Sequence, residues 1–355
     1  MFRSLLGCSR TIIGYPRYVD PFQLTRALID IESISGNEAA VGEFLLRELK
    51  SLGFLTARMP VDDAASRFNV LAFVPERPNP EVIFSTHIDT VPPFIPSSED
   101  ETRIYGRGAC DTKGIIAAMI SAALRFKEEK ASVGLMFVVG EERDSLGART
   151  ANASTLINPK PRFLINGEPT ENKIAIASKG ALRVEITARG KMAHSAYPHL
   201  GESAVEKLLE ALNRIKTVKL PTDPEIGPTT VNIGVIEGGR APNVIPDFAK
   251  AQLLYRTVGP VDKLKQDLKD AVGDLAEMEC VLDIPFVRLR TFEGLPTFVA
   301  AYTTDIPALS TWGEPILFGP GSIHVAHTSG EFIEKQQLTE AIEIYYSMAK
   351  KLLAT

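Results

Sequence analysis

Four short runs of apolar and β-branched residues, at 69–74, 82–86, 135–139 and 163–166, constrain this chain more than anything else in its sequence. Each is nearly continuously apolar, so each predicts a strand buried on both faces. The stretch 114–129 reads as a helix between two of them. Asp20-Pro21 reads as an N-cap followed by a proline at the first helical position, opening a helix through Leu24, Leu28 and Ile31. A second helix is predicted over 38–51, with Val41, Phe44, Leu45 and Leu49 as its apolar stripe and Gly53 just past its end. A last helix is predicted over 339–353. Apolar strands alternating with helices indicate an α/β layered sheet with helices on both faces.

The middle of the chain has a different rhythm. Residues 181–189 alternate like a half-exposed strand, and 202–218 are helical, with Val205, Leu208, Leu209 and Leu212 on one stripe. Strands follow at 229–236 and 248–256, then a helix at 261–275 and a strand at 279–287. This β-α-β-β-α-β order is the split βαβ, ferredoxin-like arrangement. It predicts a domain of residues 178–288 inserted into a larger one formed by 1–177 and 289–355.

Composition excludes several classes. At 355 residues the chain is long enough for two cores, and 45% hydrophobic with 23% charged residues is ordinary for a soluble protein. The net charge of −5 argues against a nucleic-acid partner. No apolar run approaches the ~20 residues of a membrane span. Cys8, Cys110 and Cys280 are odd in number and widely spaced, which argues against a disulfide framework or zinc ribbon and for a cytoplasmic location. Residues 1–19 carry Arg3, Arg10 and Arg17 and no acid. They read as an irregular extension, faintly like a transit peptide.

Open α/β sheets bind ligands outside the carboxyl ends of their strands. Here three predicted strands run into potential metal ligands: His87 and Asp89, then Glu141 and Glu142, then Glu168. Asp111 lies in a glycine-rich stretch before a helix. In an extended chain, residues i and i+2 share a side, so the Asp89 carboxylate can reach the His87 nitrogen turned away from a metal. Glu141 and Glu142 face opposite ways, so one can bind metal while the other faces a water. Imidazole and carboxylate without thiolate suit catalytic zinc, cobalt or manganese. Each residue alone has a plainer explanation, such as a core histidine, a solvated loop or a helix cap. Their convergence does not, because buried acids repel one another without a cation.

Ser85–Pro92 (STHIDTVP), Gly106–Gly114 (GRGACDTKG), Glu141-Glu142, Gly167-Glu168-Pro169-Thr170 and Ala326–Glu331 (AHTSGE) resemble, in order, the motifs of one family. It contains acetylornithine deacetylase, succinyl-diaminopimelate desuccinylase, glutamate carboxypeptidase and aminoacylase, which are dinuclear zinc hydrolases. The resemblance implies a zinc-exopeptidase-like mixed sheet and an inserted lid that also dimerises. It implies that Asp111 bridges two metals, with His87 and Glu168 on one, and Glu142 and His327 on the other. His327 matches the motif better than its rival His324. The ions would be two divalent metals, zinc first, with cobalt or manganese as alternatives. Glu141 becomes the general base for a metal-bridged hydroxide, and Asp89 orients His87. His194, in Gly190–Ser195 (GKMAHS), would reach a neighbouring subunit's site and stabilise the oxyanion. Asn243 and Arg256 would bind the substrate, Arg256 taking its carboxylate.

The expectation is therefore amide hydrolysis of a small N-acyl amino acid, as in acetylornithine deacetylase and amino-acid biosynthesis, by a cytoplasmic homodimer. An exopeptidase acting on short peptides is the alternative. A non-catalytic carboxylate- or peptide-binding protein is disfavoured, because the base and all five ligands are present. A dinucleotide site lacks its third glycine.

Overall fold

A computed structural model describes residues 19–62 and 66–355. The N-terminal extension therefore lies almost wholly outside the described residues. Helix α1 (Pro21–Ile29) opens as expected: the Asp20 carboxylate accepts from the main-chain N–H groups of Phe22 and Gln23 at 2.9 and 3.3 Å. After α2 (Ala39–Ser51) come β1 (Leu55–Pro60), β2 (Phe68–Phe73) and β3 (Val82–His87). Helix α3 (Gly114–Glu128), β4 (Val133–Val138), α4 (Leu146–Ala153) and β5 (Phe163–Asn166) follow. The chain then builds β6 (Gly180–Arg189), α5 (Ala204–Ile215), β7 (Thr230–Gly238), β8 (Phe248–Thr257), α6 (Asp262–Val272) and β9 (Glu277–Ile284). It returns with β10 (Glu314–Leu317) and α7 (Lys335–Leu353).

The large sheet has the order β1-β2-β4-β3-β5-β10. It is mixed: β3 runs parallel to both β4 and β5, while β2 is antiparallel to β4. Strands β2, β3 and β4 are buried at every position. The reason is two cores. Val70, Phe84, Leu135 and Phe137 point to one face, where Leu28, Leu45, Phe126 and Tyr345 cover them. Leu71, Ile83, Met136 and Val138 point to the other, against Ala148, Leu309 and Trp312. The two-residue period is intact, but both phases are apolar, so the sequence shows an unbroken run.

The inserted segment forms a second antiparallel sheet of order β7-β8-β6-β9. Numbered along the βαββαβ run this is 2-3-1-4, the ferredoxin-like order. Its own core joins Leu182, Val184, Ile186 and Leu253 with Leu208, Leu212 and Leu268 of the covering helices. Leu209, placed on the buried stripe by the sequence, is instead 51% exposed. The face of α5 toward the sheet is filled by Ala204, Leu208, Ala211, Leu212 and Ile215, which turns residue 209 outward. Among the described residues no helix is long and apolar enough to cross a membrane.

Candidate metal centre and active site

Parallel pairing of β3 with β4 and β5 brings three carboxyl ends to one edge of the sheet. His87 is the last residue of β3. After β4 the chain turns through Gly140, whose φ of +78° suits glycine, and presents Glu141 and Glu142. After β5, Gly167 precedes Glu168. An added Cβ at Gly167 would lie 2.5 Å from Ile115, so close helix–strand packing requires this glycine. Asp111 enters from the turn before α3, and His327 from a loop between β10 and α7.

These five residues meet in two triads that share Asp111. In the inner one, His87 Nε2 lies 3.0 Å from Asp111 Oδ1 and 4.0 Å from Glu168 Oε2. In the outer one, His327 Nε2 lies 3.2 Å from Asp111 Oδ2 and 2.9 Å from Glu142 Oε1. Within each triad the potential ligand atoms all fall within 4.8 Å of one another. The two oxygens of Asp111 therefore face different histidines, the geometry of a bridging carboxylate. His324 is exposed and belongs to neither triad.

The residues fit a pair of cations. The donors are imidazole and carboxylate, without thiolate. Glu168 Oε1 is buried with no hydrogen-bond partner, a costly state for an acid with nothing to bind. Burial and the neighbouring Glu141 push the Glu168 carboxyl well up. Asp111 is also buried, which works against its charge, yet hydrogen bonds from His327 and His87 hold it well below the usual carboxylate range. Asp111 and Glu142 in turn raise His327 to about 10. Protein alone thus leaves protons among these groups, where dications would displace them.

Supporting contacts fix the ligands, with one difference from expectation. His87 Nδ1 donates to the main-chain carbonyl of Asp89 at 2.9 Å, and the Asp89 carboxylate is 3.6 Å away. Strand geometry ends at His87, so the i, i+2 rule no longer applies and the carbonyl takes the ring. The carboxylate of Asp89 instead accepts from Ser35 Oγ at 2.6 Å and from the main-chain N–H groups of Glu141 and Glu142 at 3.1 and 3.3 Å. It holds the backbone of the glutamate pair while lying beside the His87 ring. Glu331, noticed in the sequence only as part of a motif, is buried and pairs with Arg107 at 2.7 Å. Its other oxygen accepts from the main-chain N–H groups of Cys110 and Asp111, both at 3.2 Å. Cys110 is buried beside it as packing.

A cavity of about 310 Å³ opens over the triads. Glu141 lines it, and burial pushes its carboxyl well above the usual range, as suits a group that takes and returns a proton. Arg256 lines it from the end of β8, with Leu282 and Ile284 of β9. His194 and Asn243 do not. Both are exposed at a short two-stranded antiparallel ribbon that pairs 193–194 with 244–245, where the N–H of Ser195 donates to the Asn243 carbonyl at 3.0 Å. Sequence reasoning missed Arg143, Ser145, Arg149, Tyr302, Thr303 and Thr304 in the lining. The first three follow Glu142 closely enough to have been suspected. The others carry no motif.

Two histidine–carboxylate triads bridged by one aspartate, at the carboxyl edge of an α/β sheet with an acid beside them, define a metal-dependent hydrolase. The chain belongs to the M20 peptidase family. It is 38% identical over 333 residues to a peptidase M20 domain-containing protein of Schizosaccharomyces pombe, covering 92% of this chain and 83% of that one. It is 37% identical over 388 residues to a probable carboxypeptidase of Emericella nidulans, covering 94% and 89%. The peptidase dimerisation domain profile matches residues 176–279, and the peptidase family M28 profile matches 69–205. The fold is shared with a tripeptidase of Staphylococcus aureus, at TM-score 0.79 and 21% identity over 94% of this chain and 98% of that one. It is also shared with a dinuclear metal-binding M20 peptidase of Bacillus subtilis, at TM-score 0.72 and 17% identity over 94% and 98%.

Proposed function

We propose that this chain is an exopeptidase that hydrolyses the amide bond next to a free carboxylate in a short peptide. His87, Asp111 and Glu168 would hold one divalent cation, and Asp111, Glu142 and His327 a second, zinc before cobalt or manganese. When bound, such cations polarise a carbonyl and lower the pKa of water. Glu141 accepts the proton of the attacking water at its carboxylate and delivers it to the leaving amine. Asp89 holds the backbone of Glu141 and Glu142 in place through its two N–H contacts. Arg256 anchors the substrate carboxylate with its planar fork. Residues 178–288 act as a lid and dimerisation domain, with 1–177 and 289–355 as the catalytic domain. In a homodimer, His194 and Asn243 serve the partner's cavity, which their exposed position outside their own cavity supports.

The observation that carries this reading is the pair of triads sharing Asp111, with Glu141 half-buried at the cavity wall. The names of the curated relatives and of the tripeptidase favour peptides over the acetylated amino acids suggested by the sequence. Chemistry at the carbonyl is common to both, so acetyl-, succinyl- and aminoacyl-amides measured side by side separate them. Cleavage of aminoacyl substrates supports the exopeptidase, and exclusive cleavage of acetyl-amino acids overturns it. Replacing Glu141 by Ala abolishes turnover with metal retained. Undiminished turnover overturns its role.

A further inference from the structure

The cavity carries more positive charge than one substrate carboxylate needs. Three guanidiniums line it: Arg256 from the inserted sheet, Arg143 from the turn after Glu142, and Arg149 from α4. Among the described residues none has a carboxylate at ion-pair distance. Arg256 is half-buried, and burial alone lowers its pKa, with no acid acting on it. The remaining acid of that wall, Asp144, already accepts from the N–H of Leu146 at 3.1 Å. Arg149 is exposed, and its charge acts weakly on buried Asp305, which burial raises to about 7. The acids of the floor are committed to the metal triads of the proposed function, on which this inference rests. They do not neutralise the wall.

Arg256 on β8 and the exposed Arg143 and Arg149, in the turn after Glu142 and on α4, thus line one small space with guanidiniums that have no carboxylate at ion-pair distance. A single α-carboxylate occupies one of them. We infer that the preferred substrate is at least a dianion: a peptide or acyl conjugate whose second carboxylate, from an acidic side chain or diacid, pairs with Arg149, with Arg143 in support, while Arg256 holds the first. A neutral substrate would leave Arg149 facing empty cavity. A second acid converts it into a charge-assisted bidentate contact. The second carboxylate can lie on either side of the scissile bond, and the test distinguishes the two.

Binding is read on full-length, zinc-loaded Glu141→Gln protein by calorimetry. The probes are acetyl-alanyl-glutamate against acetyl-alanyl-glutamine, and acetyl-glutamyl-alanine against acetyl-glutaminyl-alanine. In at least one pair the acidic member binds about 10- to 100-fold tighter, the size of a charge-assisted contact. Adding Arg149→Gln reduces that ratio to within about threefold. The pair that responds locates the second carboxylate. Equal affinity within both pairs overturns the inference, as does a ratio that survives loss of Arg149. Wild-type protein that keeps the binding preference but cleaves none of the four sinks the exopeptidase reading and leaves this one standing.

Discussion

The two halves of the metal centre are built differently. The inner triad grows from strand ends: the His87 side chain is 1% exposed, and β3 holds it between β4 and β5. The outer triad grows from loops: the His327 side chain is 49% exposed, and its φ of +63° is the left-handed region. Asp111 belongs to both. One cation would therefore sit in a rigid, water-excluded pocket, and the other in a site that opens toward solvent and substrate. A rigid site favours retention, and an open one favours exchange and access.

Glu141 stands beside both halves and should give the largest effect. Glu141→Gln lowers kcat by about 10³-fold, in the range for a general base, and elemental analysis still finds both ions. Loss of an ion would make it part of the binding site instead. Next comes the contrast between the histidines. His87→Ala leaves Asp111 and Glu168 buried without their imidazole and lowers stability by about 3 kcal/mol. His327→Ala, half in solvent, costs less than about 1 kcal/mol. Equal shifts in Tm for the two variants would erase the distinction between inner and outer sites.

A third measurement is chelator titration. The outer ion leaves first, so metal release shows two phases, and His327→Ala abolishes the early one. A single phase would mean that the shared Asp111 makes the pair lose both ions together. The smallest effect is in pH. In metal-free protein His327 titrates at about 10, above its unfolded value near 6.5, because Asp111 and Glu142 face it. Its contribution to stability is full below the lower value and disappears as pH rises through the higher one. Thermal melts of metal-free protein should therefore lose stability between pH 7 and 10 more steeply than those of His327→Ala. Parallel curves would show that solvent screening cancels the contact.

Legibility followed the same division. Strands with two apolar phases, the Asp20 cap and the βαββαβ rhythm are local patterns, and the structure shows them with ends shifted by a few residues at most. The five candidate ligands were legible because each sits in a short motif. Leu209 was misplaced because a helical stripe on paper does not say which flank meets the sheet. For Asp89 the spacing rule gave the His87 neighbour, at 3.6 Å, but not the main-chain carbonyl that takes the ring, because the strand stops two residues earlier.

Sequence by itself determined the elements, the donor chemistry and the order of the motifs, since these depend on neighbours along the chain. Only the tertiary structure decided that Asp111 turns one oxygen to His87 and the other to His327, that Glu331 and Arg107 lock the turn beneath it, and that Arg149 shares a cavity with Arg256. Those relations join residues up to 224 positions apart. They arise from packing two sheets and their loops together, which no local pattern encodes.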